Sequence, residues 1–330
     1  MQTIKIIQIG MGPLGIKIAK MIAERNGIET VAAIDINPSL RNTDLGKLCG
    51  TDKSKILISH DLAAEIQRTK PDIAVLTTVS DMKRITSQLS DIIKLGLPVV
   101  STCEELSSPW EEAPELANEL DKLAKEHNVA ILGTGVNPGF LMDTLPVTLT
   151  AVSQNVTKVS VNRFQDAQFR RVPFQNKIGA GLTLEAFETK KQTGTLRHVG
   201  LTESMQIIAN RMGWKLDKTE DTLSPVVVNE TITTNAMTIP KGDATGVRQI
   251  GKAYVNGELK IELTFQAAVG ESESYDEIII EGNPNIHSRI QGGINGDIAT
   301  GAITINSIPR VLEASAGLKT MMNISPVSFF

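Results

Sequence analysis

Ile4-Lys5-Ile6-Ile7-Gln8-Ile9-Gly10-Met11-Gly12-Pro13-Leu14-Gly15, with Asp35 twenty residues after the last glycine, decides the fold of this 330-residue chain. The apolar run before the glycines lacks helical period and reads as a buried strand. Ile16, Ile18, Ala19 and Ile22 then share one helical face, and Glu29-Thr30-Val31-Ala32-Ala33-Ile34-Asp35 reads as a second strand ending in a carboxylate. Strand, glycine turn, helix, strand and acid in that order make a dinucleotide-binding unit. Gly10 permits the tight turn, Gly12 lets the backbone approach a pyrophosphate, and Gly15 lets the helix lie close to the strand. Pro13 fits the first helical turn, where its missing donor is not needed. With Leu14, these residues would seat phosphates on the helix N-terminus, where free N–H groups and the positive dipole end converge. Asp35 suits the hydroxyls of an adenosine ribose, which favours NAD(H); Arg41 nearby leaves NADP(H) open. The competing reading is a glycine turn in an α/β domain that binds no nucleotide.

The length suits two domains, and a hydrophobic content of 41% supports substantial cores. A net charge of −4 and the lack of a basic stripe argue against a nucleic-acid partner. The N-terminus runs directly into a strand, which reads as no secretory leader, and no apolar run reaches membrane-spanning length. Two cysteines, Cys49 and Cys103, make no disulfide framework and suit a reducing cytoplasm. The four histidines, His60, His127, His198 and His287, are scattered without metal-ligand spacing, so no metal is expected.

Further along, Asp72–Thr78, Pro98–Thr102 and Val129–Gly133 read as buried strands, and Asp61–Arg68, Asp81–Leu95 and Glu111–His127 as helices. The succession predicts a parallel sheet with helices on both faces, a Rossmann domain over residues 1–140. Ligands of such sheets bind beyond the carboxyl ends of the strands. That directs attention to Gly10–Gly15, Thr77–Ser80, Thr102–Glu105 and Gly133–Gly139. The pattern then changes. Val156–Phe164 reads as a long strand, Leu184–Lys191 and Leu201–Met212 as helices, and Asn256-Gly257 as a hairpin turn leading into Leu259, Ile261, Leu263 and Phe265, which alternate with polar residues. Residues 141–296 are therefore expected to form an α+β domain with a mostly antiparallel sheet for substrate binding and dimerisation. The terminal segment, about 297–330, is expected to carry a helix that returns to the first domain.

Three loops carry candidate chemistry. In Ser101-Thr102-Cys103-Glu104-Glu105-Leu106, two adjacent acids follow a parallel strand, where a nicotinamide would lie if a pyrophosphate occupied Gly10–Gly15. Charges answering a helix dipole would look the same. In Gly133-Thr134-Gly135-Val136-Asn137-Pro138-Gly139-Phe140, Asn137 could polarise the nicotinamide amide or order a water, and the loop could equally be a plain hinge. In Phe174-Gln175-Asn176-Lys177-Ile178-Gly179-Ala180-Gly181, Lys177 could bind an anion or face solvent. His198 precedes a helix and reads as an acid–base group, a cap or a surface residue. Neither tyrosine stands in a Tyr-x-x-x-Lys arrangement, which disfavours short-chain dehydrogenase chemistry.

On the glycine turn and these three loops, the chain resembles the 2,4-diaminopentanoate dehydrogenases and related native NAD(P)-dependent amine dehydrogenases, relatives of dihydrodipicolinate reductase. The resemblance spans essentially the whole chain. It implies reversible oxidative deamination of an amine to a ketone with release of ammonia, and an essential glutamate in Cys103-Glu104-Glu105, with Glu104 favoured. It further implies cofactor contacts at Gly10, Gly12, Pro13, Leu14, Gly15, Asp35, Thr77, Thr78 and Asn137. The implied substrate pocket draws on Phe140, Asn162, Arg163, Phe169, Lys177, Thr195 and His198, with Arg163 or Lys177 as partner of a substrate carboxylate. The His-His pair and Ser-Gly-Thr turn usual in dihydrodipicolinate reductases are missing, which puts that activity in doubt. An oxidoreductase acting on a cyclic imine or a hydroxy substrate, and a non-enzymatic NAD-binding regulator, remain the alternatives.

Overall fold

The computed structural model describes residues 3–52, 54–170, 172–194, 196 and 199–330. The chain divides into two compact units, residues 1–140 with 295–330, and residues 141–294. The first unit runs β1 (Ile4–Ile9), α1 (Pro13–Ala23), β2 (Ile28–Ile34), α2 (Leu45–Leu48), β3 (Ile58–Ser59), α3 (Leu62–Thr69), β4 (Ile73–Leu76), α4 (Met82–Lys94), β5 (Val99–Ser101), α5 (Pro114–Glu126) and β6 (Ala130–Gly133). After the second unit it resumes with a helix, Gly296–Leu312, and a terminal strand, Gly317–Lys319. Among the described residues this gives a seven-stranded sheet, ordered terminal strand, β6, β5, β4, β1, β2, β3, with every pair parallel.

Successive residues of a strand point to opposite faces, and both faces here are covered. Ile6, Val75, Val100 and Leu132 meet α1 and the returning helix through Ile18, Ile22, Ile303, Ile305 and Ile308. Ile7, Ile9, Ala74 and Leu76 meet α4 and α5 through Ile85, Leu89, Ile92 and Leu120. Double coverage explains why these strands read as unbroken apolar runs. The terminal helix stops at Leu312, and the residues beyond it supply an edge strand of three residues that no periodicity announces. The order reverses between β1 and β4, so the carboxyl ends of these two strands flank the topological switch point.

The second unit runs α6 (Thr144–Leu149), β7 (Asn155–Asp166), α7 (Val172–Lys177), α8 (Leu184–Gln192), α9 (Leu201–Met212), β8 (Lys218–Val227), β9 (Ile232–Thr233), β10 (Thr238–Ile239), β11 (Ala244–Val255), β12 (Glu258–Ala268), β13 (Tyr275–Asn283) and β14 (Ile286–Gln291). Among the described residues its main sheet has the order β14, β13, β7, β12, β11, β8. Only β7 and β12 pair in parallel; the other neighbours are antiparallel. Asn256 and Gly257 turn the β11–β12 hairpin, both with positive φ. No helix among the described residues is long and apolar enough to cross a membrane.

Candidate active site

The glycine turn sits at the switch point, and each of its glycines has a different physical reason. Gly10 has φ +94°, and a Cβ there would stand 2.7 Å from the Thr77 carbonyl oxygen. A Cβ on Gly15 would overlap the Gly10 carbonyl oxygen and approach Thr77 Oγ1 to 2.6 Å. Gly12 has φ −68° and ψ 176°, which any residue adopts, and a Cβ there would meet nothing within 4 Å. Neither backbone strain nor packing within the chain therefore calls for glycine at position 12. The space in front of the backbone there is open. Gly12 is also the N-cap of α1, without a side-chain cap, so the first turn keeps amide donors for an anion. These residues fit a dinucleotide pyrophosphate.

Asp35 follows the end of β2 and binds the backbone on both sides of it. Its Oδ2 accepts the Met11 amide at 2.6 Å and its Oδ1 the Asn37 amide at 2.8 Å. The carboxylate is thus locked in one orientation, and it fastens the glycine turn. Thr77 supports that turn from below: Oγ1 donates to the Gly10 carbonyl at 2.9 Å and accepts from Gln8 Nε2 at 2.9 Å. Gln8 is fully buried within an otherwise apolar strand. It braces the turn from within the strand, and its polarity in the run Ile6-Ile7-Gln8-Ile9 is the sequence signal for that role. Thr78 is exposed and donates to Gln88 at 2.8 Å.

A ladder of backbone hydrogen bonds continues past the strand ends. Gly10 N donates to Ile34 O, Thr77 N to Ile9 O, Thr102 N to Leu76 O and Thr134 N to Ser101 O, at 2.8–3.1 Å. The loops after β1, β4, β5 and β6 are therefore mounted side by side on one rigid edge. The loop after β5 bears the two acids, both half-buried. Their partners differ. Glu105 Oε2 accepts the Met82 amide at the start of α4, at 2.8 Å. The Glu104 side chain has no hydrogen-bond partner among the described residues. Beside them, burial pushes the Cys103 thiol up to about 12, with the charges of Glu104 and Glu105 adding to the effect, so it is an inert thiol. Gly133 has no side chain because Leu106 of this loop lies against it: a Cβ would stand 2.6 Å from the Leu106 carbonyl carbon.

In the loop after β6, Asn137 is buried, the Asn137–Pro138 peptide is cis, and Val136 N donates to Thr300 Oγ1 of the returning helix at 3.3 Å. Phe140 is half-buried and packs on the apolar layer that contains Ile303 and Leu132. Its ring helps to build the core of the first unit.

In the second unit, register corrects the sequence reading. Consecutive residues of β7 face opposite sides of the sheet, which puts the Asn162 and Arg163 side chains on different faces. Asn162 lies opposite Glu277 and donates to it at 3.0 Å. Arg163 is 3% exposed and lies opposite Asp276, with 3.2 Å between Nη1 and Oδ1. Its Nη2 donates to the Ile294 carbonyl at 2.7 Å, while Asp276 Oδ2 accepts the Ile294 amide at 2.7 Å. Arg163 is therefore a structural ion-pair partner rather than an open cation for substrate. Burial pushes the Asp276 carboxyl up from its ordinary value, against the pull of Arg163. Asp276→Ala, which would strand a buried guanidinium, is expected to cost about 3–5 kcal/mol in denaturant unfolding; a loss below about 1 kcal/mol would rule out this role. Phe169 is 85% exposed, and Lys177 is exposed at the end of α7 with no ion-pair partner among the described residues. Thr195 and His198 lie outside the described residues.

Comparison with known proteins adds the family. Residues 4–108 match the family described as dihydrodipicolinate reductase, N-terminus. A protein of Acetoanaerobium sticklandii named 2,4-diaminopentanoate dehydrogenase is 30% identical, covering 98% of this chain and 94% of its own. A Streptomyces virginiae protein named amine dehydrogenase is 21% identical over 96% of this chain and 94% of its own. The solved structure of an amine dehydrogenase from Mycobacterium smegmatis has the same fold, with a TM-score of 0.86 at 22% identity, covering 99% of this chain and 97% of that one. Residues 140–328 match the 2,4-diaminopentanoate dehydrogenase C-terminal domain. That match, joined to the identity along nearly the whole chain, makes this protein a member of the 2,4-diaminopentanoate dehydrogenase family, oxidoreductases that use NAD(H).

Proposed function

We propose that this protein catalyses the NAD-dependent oxidative deamination of a small amine resembling 2,4-diaminopentanoate, and in reverse the reductive amination of a ketone with ammonia. The observation that carries this is Glu104: a half-buried carboxylate without a side-chain partner among the described residues, on the same sheet edge as the glycine turn. When bound, NAD⁺ supplies the hydride acceptor, and Gly10, Gly12, Pro13, Leu14, Gly15 and Asp35 hold it. Glu104 attracts the substrate ammonium, takes a proton from the nitrogen, stabilises the cationic carbon–nitrogen centre and delivers protons to and from the water that hydrates it. Asp35 supports NAD over NADP, because an acid after the second strand of such a unit suits ribose hydroxyls and repels a 2′-phosphate. Asn137 is assigned to the cofactor amide or to a water. Thr77 and Thr78 are assigned to the rim of the cofactor site, with Thr77 bracing the turn.

With Arg163 engaged by Asp276, Lys177 is, of these two candidates, the one assigned to a substrate carboxylate. Lys177→Ala is expected to raise KM for diamino acids by about tenfold, the worth of one charge-assisted hydrogen bond, and to leave KM for plain alkyl amines unchanged. Equal effects on both substrates would remove Lys177 from this role. The activity itself is tested with a panel of diamino acids and alkyl amines, read as NADH formation with NAD⁺ and NADP⁺, and with the matching ketones with and without ammonia. Reduction of ketones that proceeds equally well without ammonia would exclude the amine chemistry.

The open face of the second sheet supports a homodimer. Phe164 and Tyr275 stack there at 4.9 Å, with the Arg248 guanidinium over Phe164 and that of Arg289 over Tyr275. Half-buried aromatic rings under arginine side chains are of the kind that anchors protein interfaces. Sedimentation showing a monomer at micromolar concentration would count against it. The cytoplasm is the proposed location, in keeping with two free cysteines.

A further inference from the structure

The adjacent acids of the β5 loop have unlike surroundings, and the difference assigns a job to the second. The loop is pinned on both sides of Glu104. Before it, Cys103 is fully buried and its amide donates to Ser101 Oγ at 3.1 Å. After it, Leu106 is fully buried, and Glu105 reaches across to the neighbouring loop. Glu105 Oε2 accepts the Met82 amide at 2.8 Å, and the Glu105 amide donates to the Ser80 carbonyl at 3.4 Å. Met82 opens the thirteen-residue helix α4, whose own N-cap, Asp81, serves the Arg84 amide instead. Glu105 thus satisfies a first-turn donor that Asp81 leaves over, and the positive end of the helix balances its charge.

We propose that Glu105 is a positioning residue: by bonding the start of α4 it ties the β5 loop to the β4 loop and holds Glu104 in place for proton transfer. This rests on the reading of Glu104 as the catalytic acid. A general acid–base must stand within hydrogen-bond reach of its proton, and displacement by about 1 Å can cost about 10²-fold in rate. The hydrogen bond to the Met82 amide needs an acceptor of glutamate's length, and the charge adds only the modest favour of a helix N-terminus.

The test compares Glu105→Gln, Glu105→Asp and Glu104→Gln in the full-length protein. Glutamine keeps an acceptor oxygen at the same reach, so kcat is expected to fall by no more than about fivefold. Aspartate keeps the charge but is one methylene too short for the Met82 amide, so kcat is expected to fall by about 10- to 100-fold. The NADH dissociation constant, read by fluorescence, is expected to stay at its wild-type value in both, since the glycine turn is untouched. A merely structural role would move cofactor affinity and melting temperature along with kcat, and that outcome overturns the proposal. So does the reverse ranking, with aspartate active and glutamine inactive, which would make the charge of Glu105 the operative feature. Full activity in Glu104→Gln would instead remove the assignment of the catalytic acid, a separate failure from either of these.

Discussion

Glu104→Gln is expected to lower kcat by about 10²–10⁴-fold, the usual range for loss of a general acid–base, while NADH still binds with wild-type affinity. The substitution is nearly isosteric, and Glu104 has no hydrogen-bond partner among the described residues that the change could strand. Folding stability should therefore not change, and loss of rate would report chemistry alone. Stopped-flow measurement of NADH formation under saturating substrate, beside a fluorescence titration with NADH, separates the two quantities. A variant that turns over at wild-type rate would exclude Glu104, and a variant that cannot bind NADH would place it in the nucleotide site instead.

The second large effect separates glycines that look equivalent in a motif. Gly12→Ala adds a methyl group to open space on a backbone that tolerates it, so the melting temperature is expected to hold. If the pyrophosphate lies against this turn as proposed, the same methyl would crowd it, and NADH affinity is expected to fall by about tenfold or more, about 1.4 kcal/mol. Gly15→Ala should behave in the opposite sense: its methyl overlaps the Gly10 carbonyl, and the overpacking is expected to cost about 1–3 kcal/mol of stability. Calorimetry of both variants with and without NADH distinguishes these outcomes. A destabilised Gly12→Ala protein that binds NADH normally would contradict the reason given for that glycine.

The nucleotide unit was legible because its signals are local. Long apolar strands without helical period, the glycine turn and the acid after β2 all lie within a few dozen residues, and each has one economical physical reading. Leu201–Met212 was equally plain, as a helix with a buried face. What escaped were features set by partners far along the chain. β3 and the terminal strand have two and three residues and exist because a neighbouring strand extends them. Arg163 reads as an available cation until register places Asp276 opposite it. Glu104 and Glu105 are indistinguishable as letters; what separates them is the Met82 amide, supplied from the preceding loop. Gln8 shows the converse case, a legible oddity whose purpose emerges only when Thr77 and the Gly10 carbonyl are brought to it.

The returning helix closes one face of the parallel sheet with Ile303, Ile305 and Ile308, yet it is encoded after the whole of residues 141–294. During synthesis, Ile6, Val75, Val100 and Leu132 emerge with α1 but long before the second half of their cover. The later-encoded unit, contiguous in the chain, can complete its own core while the earlier one waits for its last helix and strand. A nascent chain cut short before residue 295 would cover that aliphatic sheet face with α1 alone and leave the remainder exposed, the kind of surface that chaperones hold and that aggregates when they do not.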